Sequence, residues 1–308
     1  MAGRLYIPEA VRESIAEHFR VSVAYALDGF WSANEDEDTL TGHLGACLRT
    51  KAHTVIAAAE QSELPGKWTW SIDYTKFRGR GPKATEKAIG ADGLFEISLT
   101  HGTRHDKKSV LFQSKLDWTT DADILKQSLL LSTWREAAFV LNYTDSGFET
   151  FSIDDVVRSR GEKPSNSVPL EETLADYFLE CKLGDTRLEY DAKTRLLTWR
   201  TSEGLRVATQ FSIPDRIRVR IKAPGFSPSG SYDKIVPIDE IHNHRMNASH
   251  REVLQNLLSD KVVSEKKKKK ELSLAYHPDH FQTLDDLFKD IATRRMQEIN
   301  NAYEQVRI

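Results

Sequence analysis

The stretch GADGLFEISL at residues 90–99, followed by SVLFQSKL at 109–116, decides the architecture. Both runs are short, rich in aromatic and aliphatic residues and bounded by glycine or polar residues, which predicts two strands. Side chains two apart in a strand share a face, so Gln113 and Lys115 point one way while Phe112 and Ser114 point the other. If the strands pair as an antiparallel hairpin, Asp92 at the start of the first falls beside Gln113 and Lys115 near the end of the second. A carboxylate, an amide oxygen and an ammonium then converge. Glu96 shares the Asp92 face by the same period and reads as spare.

Working outward, residues 67–75 (KWTWSIDYT) read as a further strand. Pro8 can open a helix in which Val11, Ile15 and Phe19 recur on one face, giving a helix over 8–25. A second helix follows Asp38, with Leu40, Leu44, Cys47 and Leu48 on one face, and runs to about Glu60. Residues 121–138 return to helical spacing before a short strand, FVLNYT, at 139–144. This order predicts an α/β domain, a mixed sheet flanked by helices. The polar stretch 158–170, broken by two prolines, marks a boundary or long loop. Residues 171–181 look helical, and 186–222 look like three or four strands, forming a separate domain or an extension of the first sheet. The expected division is 1–160, a β-rich 161–240, and a helical 241–308.

A chain of 308 residues is long enough for about two domains. With 39% hydrophobic and 29% charged residues and no long apolar run, it reads as soluble. The start lacks the basic-then-apolar pattern of a secretion signal, and Cys47 and Cys181 are isolated, so a cytoplasmic location is expected. Two lone cysteines offer no zinc spacing, so any metal must be held by oxygen.

The net charge of -3 argues against a polyanionic partner, but the average hides local patches. Lys76, Arg78, Arg80, Lys83 and Lys87 crowd the loop upstream of Asp92 with Glu86 as the one acid among them. In RIRVRIK, Arg216, Arg218, Arg220 and Lys222 alternate with Ile217, Val219 and Ile221, giving a strand with a cationic face. The same pattern equally suits an edge strand charged against pairing. As a nucleic-acid surface, these groups imply salt-sensitive backbone contacts with little sequence preference.

Phosphodiester hydrolysis uses such a set, because a hard divalent cation prefers oxygen ligands and lysine adds charge near the attacking water. The residues resemble the PD-(D/E)xK nuclease superfamily: an acid on an early helix, an Asp at a strand start (GADGLFEI) and (E/Q)xK on the next strand (LFQSK). The resemblance covers roughly 30–150, including the helix DILKQSLLLSTWREAAF and the strand FVLNYT. It implies a restriction-endonuclease-like sheet, a magnesium (or manganese) cofactor on Asp92 and the Gln113 carbonyl, and Lys115 positioning water. Gln in place of Glu removes one negative charge and implies weaker metal affinity without substrate. The helix acid lies among Glu35, Asp36, Glu37 and Asp38, with Glu37 preferred as third ligand and Asp38 next, although acids there also serve as caps. The implied activity is endonucleolytic, on DNA, and the analogy with bacterial defence nucleases extends it to anti-phage defence.

At the C-terminal end, His277-Pro278-Asp279 separates a lysine-rich helical stretch from LDDLFKDIATRRMQEINNAYEQV. In the latter Leu284, Leu287, Phe288, Ile291, Met296, Ile299, Tyr303 and Val306 form an apolar stripe. The segment 250–308 resembles a J domain, whose HPD loop joins two antiparallel helices and whose second helix carries an EIN-x-AY segment. The resemblance implies docking to an Hsp70 through His277, Pro278 and Asp279. Lys268 and Lys269 depart from it, standing where the family places Ala and a core-packing aromatic. A second functional class stays open: a non-catalytic co-chaperone or adaptor whose nuclease-like domain binds nucleic acid or protein. Self-association fits either class.

Overall fold

The computed structural model describes residues 5–60, 62–77, 89–119, 121–191, 193–200, 206–210, 213–225, 265–281, 284 and 286–306. Helix α1 (Glu9–Asp28) buries Val11, Ile15, Phe19, Val23 and Ala26, and a short α2 (Phe30–Ala33) follows. Helix α3 (Glu37–Leu48) buries Leu40, Leu44 and Leu48 and packs beside α1. The helix expected to reach Glu60 stops at Leu48, because residue Arg49 turns extended and β1 (Thr50–Ala57) begins. Thr50, Thr54, Val55 and Ile56 are β-branched, and their pairing with β2 (Gly66–Lys76), Val55 opposite Trp68, overrides the alanines nearby.

The two deciding strands are β3 (Gly93–His101) and β4 (Arg104–Leu116), an antiparallel hairpin with Gly93 opposite Phe112. Gly102, at φ 58, supplies the positive backbone angle of their tight turn. Helix α4 (Ala122–Leu131) and a 3-10 turn (Ser132–Ala137) then cross to β5 (Ala138–Tyr143), which lies parallel to β4. β6 (Phe148–Ser152), α5 (Ile153–Arg158) and β7 (Val168–Pro169) follow. The expected helix at 171–181 is a short turn, Leu170–Glu172, continued by the π-helical segment Thr173–Phe178.

Four strands occupy the next stretch: β8 (Leu188–Asp191), β9 (Leu196–Arg200), β10 (Arg206–Gln210) and β11 (Asp215–Lys222). They part company. β8, β9 and β10 form their own antiparallel sheet, whereas β11 enters the central sheet, whose order is β1-β2-β11-β3-β4-β5-β6-β7. β11 pairs antiparallel with β2 on one side and parallel with β3 on the other, so it is an interior strand and the edge-strand reading of its charges falls away.

Alternation along the central strands fills both faces. Phe95, Ile97, Val110, Phe112, Phe139 and Leu141 join the core under α1 and α3, while Leu94, Leu111 and Val140 join the core under α4 and α5. That second core also takes in Leu272, Tyr276, Phe281, Ala292 and Ile299 of a C-terminal hairpin made by α6 (Glu265–Ala275) and α7 (Asp286–Val306). The stripe expected on α7 is buried at Ile291 and Ile299, but Leu287 is exposed. No helix among the described residues is long and apolar enough to cross a membrane.

Candidate functional site

One end of the central sheet gathers the polar residues. β3 and β11 start there, β2, β4 and β5 end there, and α3 begins above it. Asp92, just before β3, donates its N–H to the Phe112 carbonyl at 2.8 Å and accepts the Asp215 N–H at 3.3 Å. Its carboxylate Oδ2 accepts from Gln113 Nε2 at 2.5 Å, from the Ser114 N–H at 2.8 Å and from Ser114 Oγ at 2.8 Å. The convergence of Asp92 with the Gln113 amide is therefore present, locked by the hairpin register.

Gln113 is 2% exposed, and its Oε1 has no hydrogen-bond partner among the described residues. A buried carbonyl oxygen left unpaired is rare and asks for a partner. Its chemistry suits a hard cation that prefers oxygen. The amide turns Nε2 toward Asp92, so a cation shared by the two residues requires the amide to turn over. Among the described residues, no three His, Cys, Asp or Glu side chains converge to hold a metal.

Lys115 lies two residues along the Gln113 face, and its ammonium meets Asp121 Oδ2 at 2.9 Å. Asp121 caps α4 by accepting the Asp123 N–H at 2.7 Å. Burial opposes its ionisation, yet Lys115 and the Asp123 and Ile124 N–H groups outweigh burial and hold its carboxyl below the usual range.

Three of the four acids at the start of α3 separate by role. Asp36 is the cap, accepting the Thr39 N–H at 2.7 Å. Asp38 holds the Lys76 ammonium at 2.7 Å. Glu37 stays half-buried, its carbonyl accepting the Thr41 hydroxyl at 2.8 Å, and Thr41 in turn meets the Tyr143 hydroxyl at 3.0 Å. Tyr143 is fully buried, and burial raises its pKa most. The charges of Asp215, Asp92 and Glu37 add to that rise.

Asp215 is not among the site residues expected from the sequence. An acid opening a strongly alternating strand was the available signal. Its side chain is 2% exposed, Tyr74 donates to its Oδ1 at 2.6 Å, and the Lys76 ammonium lies 3.8 Å away. Burial pushes its carboxyl up to about 6 against the lowering influence of Tyr74 and Lys76, and Asp38 adds to the rise.

The expected cationic face of β11 is largely compensated within the molecule. Arg216 is buried and donates to Glu96 at 2.7 Å, which gives the supposedly spare Glu96 a structural partner. Arg218 reaches Asp73 at 3.3 Å, and Arg220 pairs with the same carboxylate, while Lys222 is exposed. Arg78, Arg80, Lys83 and Lys87 lie outside the described residues.

Far from this end, the HPD turn joins α6 to α7. His277 Nδ1 stands 3.5 Å from Asp279 Oδ2, with their side chains 44% and 70% exposed, and Pro278 opens a 3-10 turn that ends in the buried Phe281. Lys269 places its ammonium 4.3 Å from the Tyr303 ring centroid, a cation–π contact between the two helices. No family model, no curated protein and no solved structure matches the chain.

Proposed function

We propose that this chain is a metal-dependent endonuclease that hydrolyses phosphodiester bonds in DNA. One observation carries the reading: the Asp92 carboxylate meets the Gln113 amide at the sheet end, with Lys115 next along the same strand face. Asp92 and Gln113 would hold the magnesium or manganese ion, with Glu37 the acid from the helix. The ion, when bound, supplies electrophilic polarisation of the phosphate and makes water easier to deprotonate. Asp92 keeps its place through the Ser114 N–H and hydroxyl. Lys115, released from Asp121 as phosphate arrives, would offer its charge to the attacking water. Lys76, Arg218 and Arg220, once their carboxylate partners yield, and the exposed Lys222 would contact the flanking phosphates.

The antiparallel β3–β4 hairpin followed by the parallel β4–α4–β5 crossover supports a restriction-endonuclease-like core with β11 added inside the sheet. The analogy with bacterial defence nucleases extends the proposal to anti-phage defence. The C-terminal hairpin, two helices joined at an exposed HPD turn, supports a J-like docking module, with Lys269 on Tyr303 replacing a core aromatic. A second reading, a non-catalytic adaptor, is favoured by a different observation: the Lys115–Asp121 pair at 2.9 Å neutralises the lysine.

Plasmid DNA incubated with the purified chain, with magnesium or with chelator, separates the two. Cleavage that needs the metal and falls at least about 100-fold in Asp92→Ala and Lys115→Ala is expected, the scale of removing one charge-stabilising group. Undiminished cleavage by both variants would discard the site, and absence of cleavage by the wild type would favour the adaptor.

A further inference from the structure

β11 carries a column of like charge through the interior of the central sheet. Arg216, Arg218, Arg220 and Lys222 share one face, and the partners confirm it: Arg216 reaches Glu96 of β3, while Arg218 and Arg220 reach Asp73 of β2. The intervening Ile217, Val219 and Ile221 turn the other way, into the core under α1 and α3. Such a column costs repulsion. Burial lowers the Arg218 pKa most, and the charges of Arg216 and Arg220 lower it further. Defence of an open edge does not explain the column, because β11 has β2 on one side and β3 on the other. Asp73 is a single carboxylate serving two guanidiniums.

Beyond Arg218 the strands lay out two rows on this face. Arg220 lies between Ser71 of β2 and Ser98 of β3, and Ser98 is opposite Lys107 of β4. Two residues on, Lys222 lies between Thr69 and Thr100, and the Thr100 hydroxyl meets Nδ1 of His105, its β4 neighbour, at 3.2 Å. Each row presents a cation flanked by two hydroxyls, with a second basic side chain one strand further. The Arg220 side chain is 50% exposed, Lys222 and His105 are exposed, and the four hydroxyl residues are half-buried. Two residues of strand set the rows roughly 6.6–6.8 Å apart. Cations with hydroxyl donors at a regular interval suit a run of backbone phosphates. Apart from the His105 imidazole neither row holds a ring on which a base could stack, so the face suits the backbone of a duplex better than a single strand. Lys107 precedes Gln113 by six residues, roughly 20 Å of strand. Leu94 and Leu111, between the rows and the candidate site, pack in one core with Leu188, Tyr190 and Leu197 of the small sheet.

We propose that this face is an anchoring surface for duplex DNA, on which Arg220, Lys222 and Lys107 hold backbone phosphates at a distance from the Asp92 and Gln113 end. The proposal rests on the nuclease reading for its choice of polyanion, and deepens it by separating the place where DNA is held from the place where it would be cut. Asp73 then competes with phosphate for the two guanidiniums it serves.

The test is fluorescence anisotropy of a labelled DNA duplex titrated with the full chain in chelator, at several salt concentrations, for the wild type, the double variant Arg220→Gln/Lys222→Gln and Asp73→Asn. Thermal melting of each and plasmid cleavage with magnesium run alongside. Expected is salt-sensitive binding by the wild type, at least about tenfold weaker in the double variant, with the slope of log affinity against log salt reduced by about two. Asp73→Asn, which frees two guanidiniums, is expected to bind more tightly. Wild-type affinity and slope in a folded double variant overturn the proposal, and if that variant still cleaves DNA, the nuclease reading survives the loss. Binding that depends on Arg220 and Lys222 in a chain that never cleaves DNA supports the proposal and removes the nuclease reading. Absence of duplex binding by the wild type, preference for a single strand of the same sequence, or binding to phosphatidylserine vesicles in place of the duplex overturns it. Should the double variant fail to fold, acetylation of the wild-type lysines gives the answer: protection of Lys107 and Lys222 by bound duplex supports the proposal, and unchanged reactivity of both under bound duplex overturns it.

Discussion

The Glu96 carboxylate is fully buried and meets Arg216 at 2.7 Å, so its charge is balanced across the β3–β11 pair. Asp215, one residue before Arg216, has no guanidinium of its own and faces Tyr74, Lys76 and Asp38 instead. Its carboxyl, lifted by burial from 3.8 to about 6, binds its proton more tightly in the folded than in the unfolded chain. For an acid shifted upward, the folded state is favoured while the group stays protonated, and this contribution is lost as pH rises from about 4 through about 6. Two units correspond to roughly 3 kcal/mol. Asp215→Asn cannot ionise, so in metal-free buffer it is expected to exceed the wild type in stability by up to roughly 3 kcal/mol at pH 8, and to match it near pH 4. Urea denaturation at pH 4, 6 and 8 measures the difference. Equal stability at all three values would mean that the carboxylate is better balanced than its neighbours indicate. The two acids also show what a sequence hides at this scale. Period two placed Glu96 on its face correctly, but the Arg216 that occupies it is 120 residues away.

Helix α3 delivers Glu37 and Asp38 to the sheet end because it can approach β2 closely. Gly45 makes that approach possible: a Cβ there would lie 2.3 Å from the Tyr74 ring, and Gly42, one turn earlier, faces the Tyr74 hydroxyl and the Lys76 ammonium. Gly45→Ala is expected to push the helix or the ring away, costing roughly 1–3 kcal/mol as in other overpacked cores. The displaced Tyr74 would release Asp215. Denaturant midpoints together with the tyrosine hydroxyl resonances would register both effects, and an Ala variant as stable as wild type with an unchanged Tyr74 signal would refute the close-approach account. Elements of this kind were legible where periodicity is local. α1, α3, the β3–β4 hairpin and β5 all follow from spacing and turn residues, as does the meeting of Asp92 with Gln113. β1 was not legible, since its strand character comes from the distant Trp68 and Trp70 opposite Val55 and His53. The insertion of β11 between β2 and β3 was hidden for the same reason: alternation declares a strand and which side is apolar, but not which neighbours it takes.

At the scale of the whole molecule, the C-terminal hairpin is anchored to the sheet domain by a buried polar knot as well as by apolar contact. Asp154, in the first turn of α5, accepts from the Tyr276 hydroxyl at 2.6 Å and from Arg295 at 3.1 Å, across separations of 122 and 141 residues. The hairpin itself was readable from its stripe and its HPD turn, whereas this knot depends on an aspartate in a helix with no pattern pointing outward. Burial works against the Asp154 charge, but Arg295 and the Tyr276 hydroxyl overcome it and hold the carboxyl below its ordinary 3.8. For an acid shifted downward, the stabilisation is complete above the unfolded value and is lost as pH falls below about 4 through the folded one. Docking should therefore withstand pH 5–8 and weaken in stronger acid. Removing the acid at neutral pH has a harsher consequence, because Arg295, 7% exposed, loses its ion pair across to α5 and keeps Glu298 of its own helix at 3.1 Å, and the Tyr276 hydroxyl loses its acceptor, a loss of roughly 1–3 kcal/mol. Asp154→Ala is expected to free α6 and α7 from α5 while the central sheet stays folded. Hydrogen exchange followed by mass spectrometry at pH 7 should show faster exchange over 265–306 and unchanged protection in β3, β4 and β5. If 286–306 exchanges as slowly in Asp154→Ala as in the wild type, the apolar contacts of Leu272, Phe281 and Ile299 hold the hairpin by themselves and the knot is dispensable.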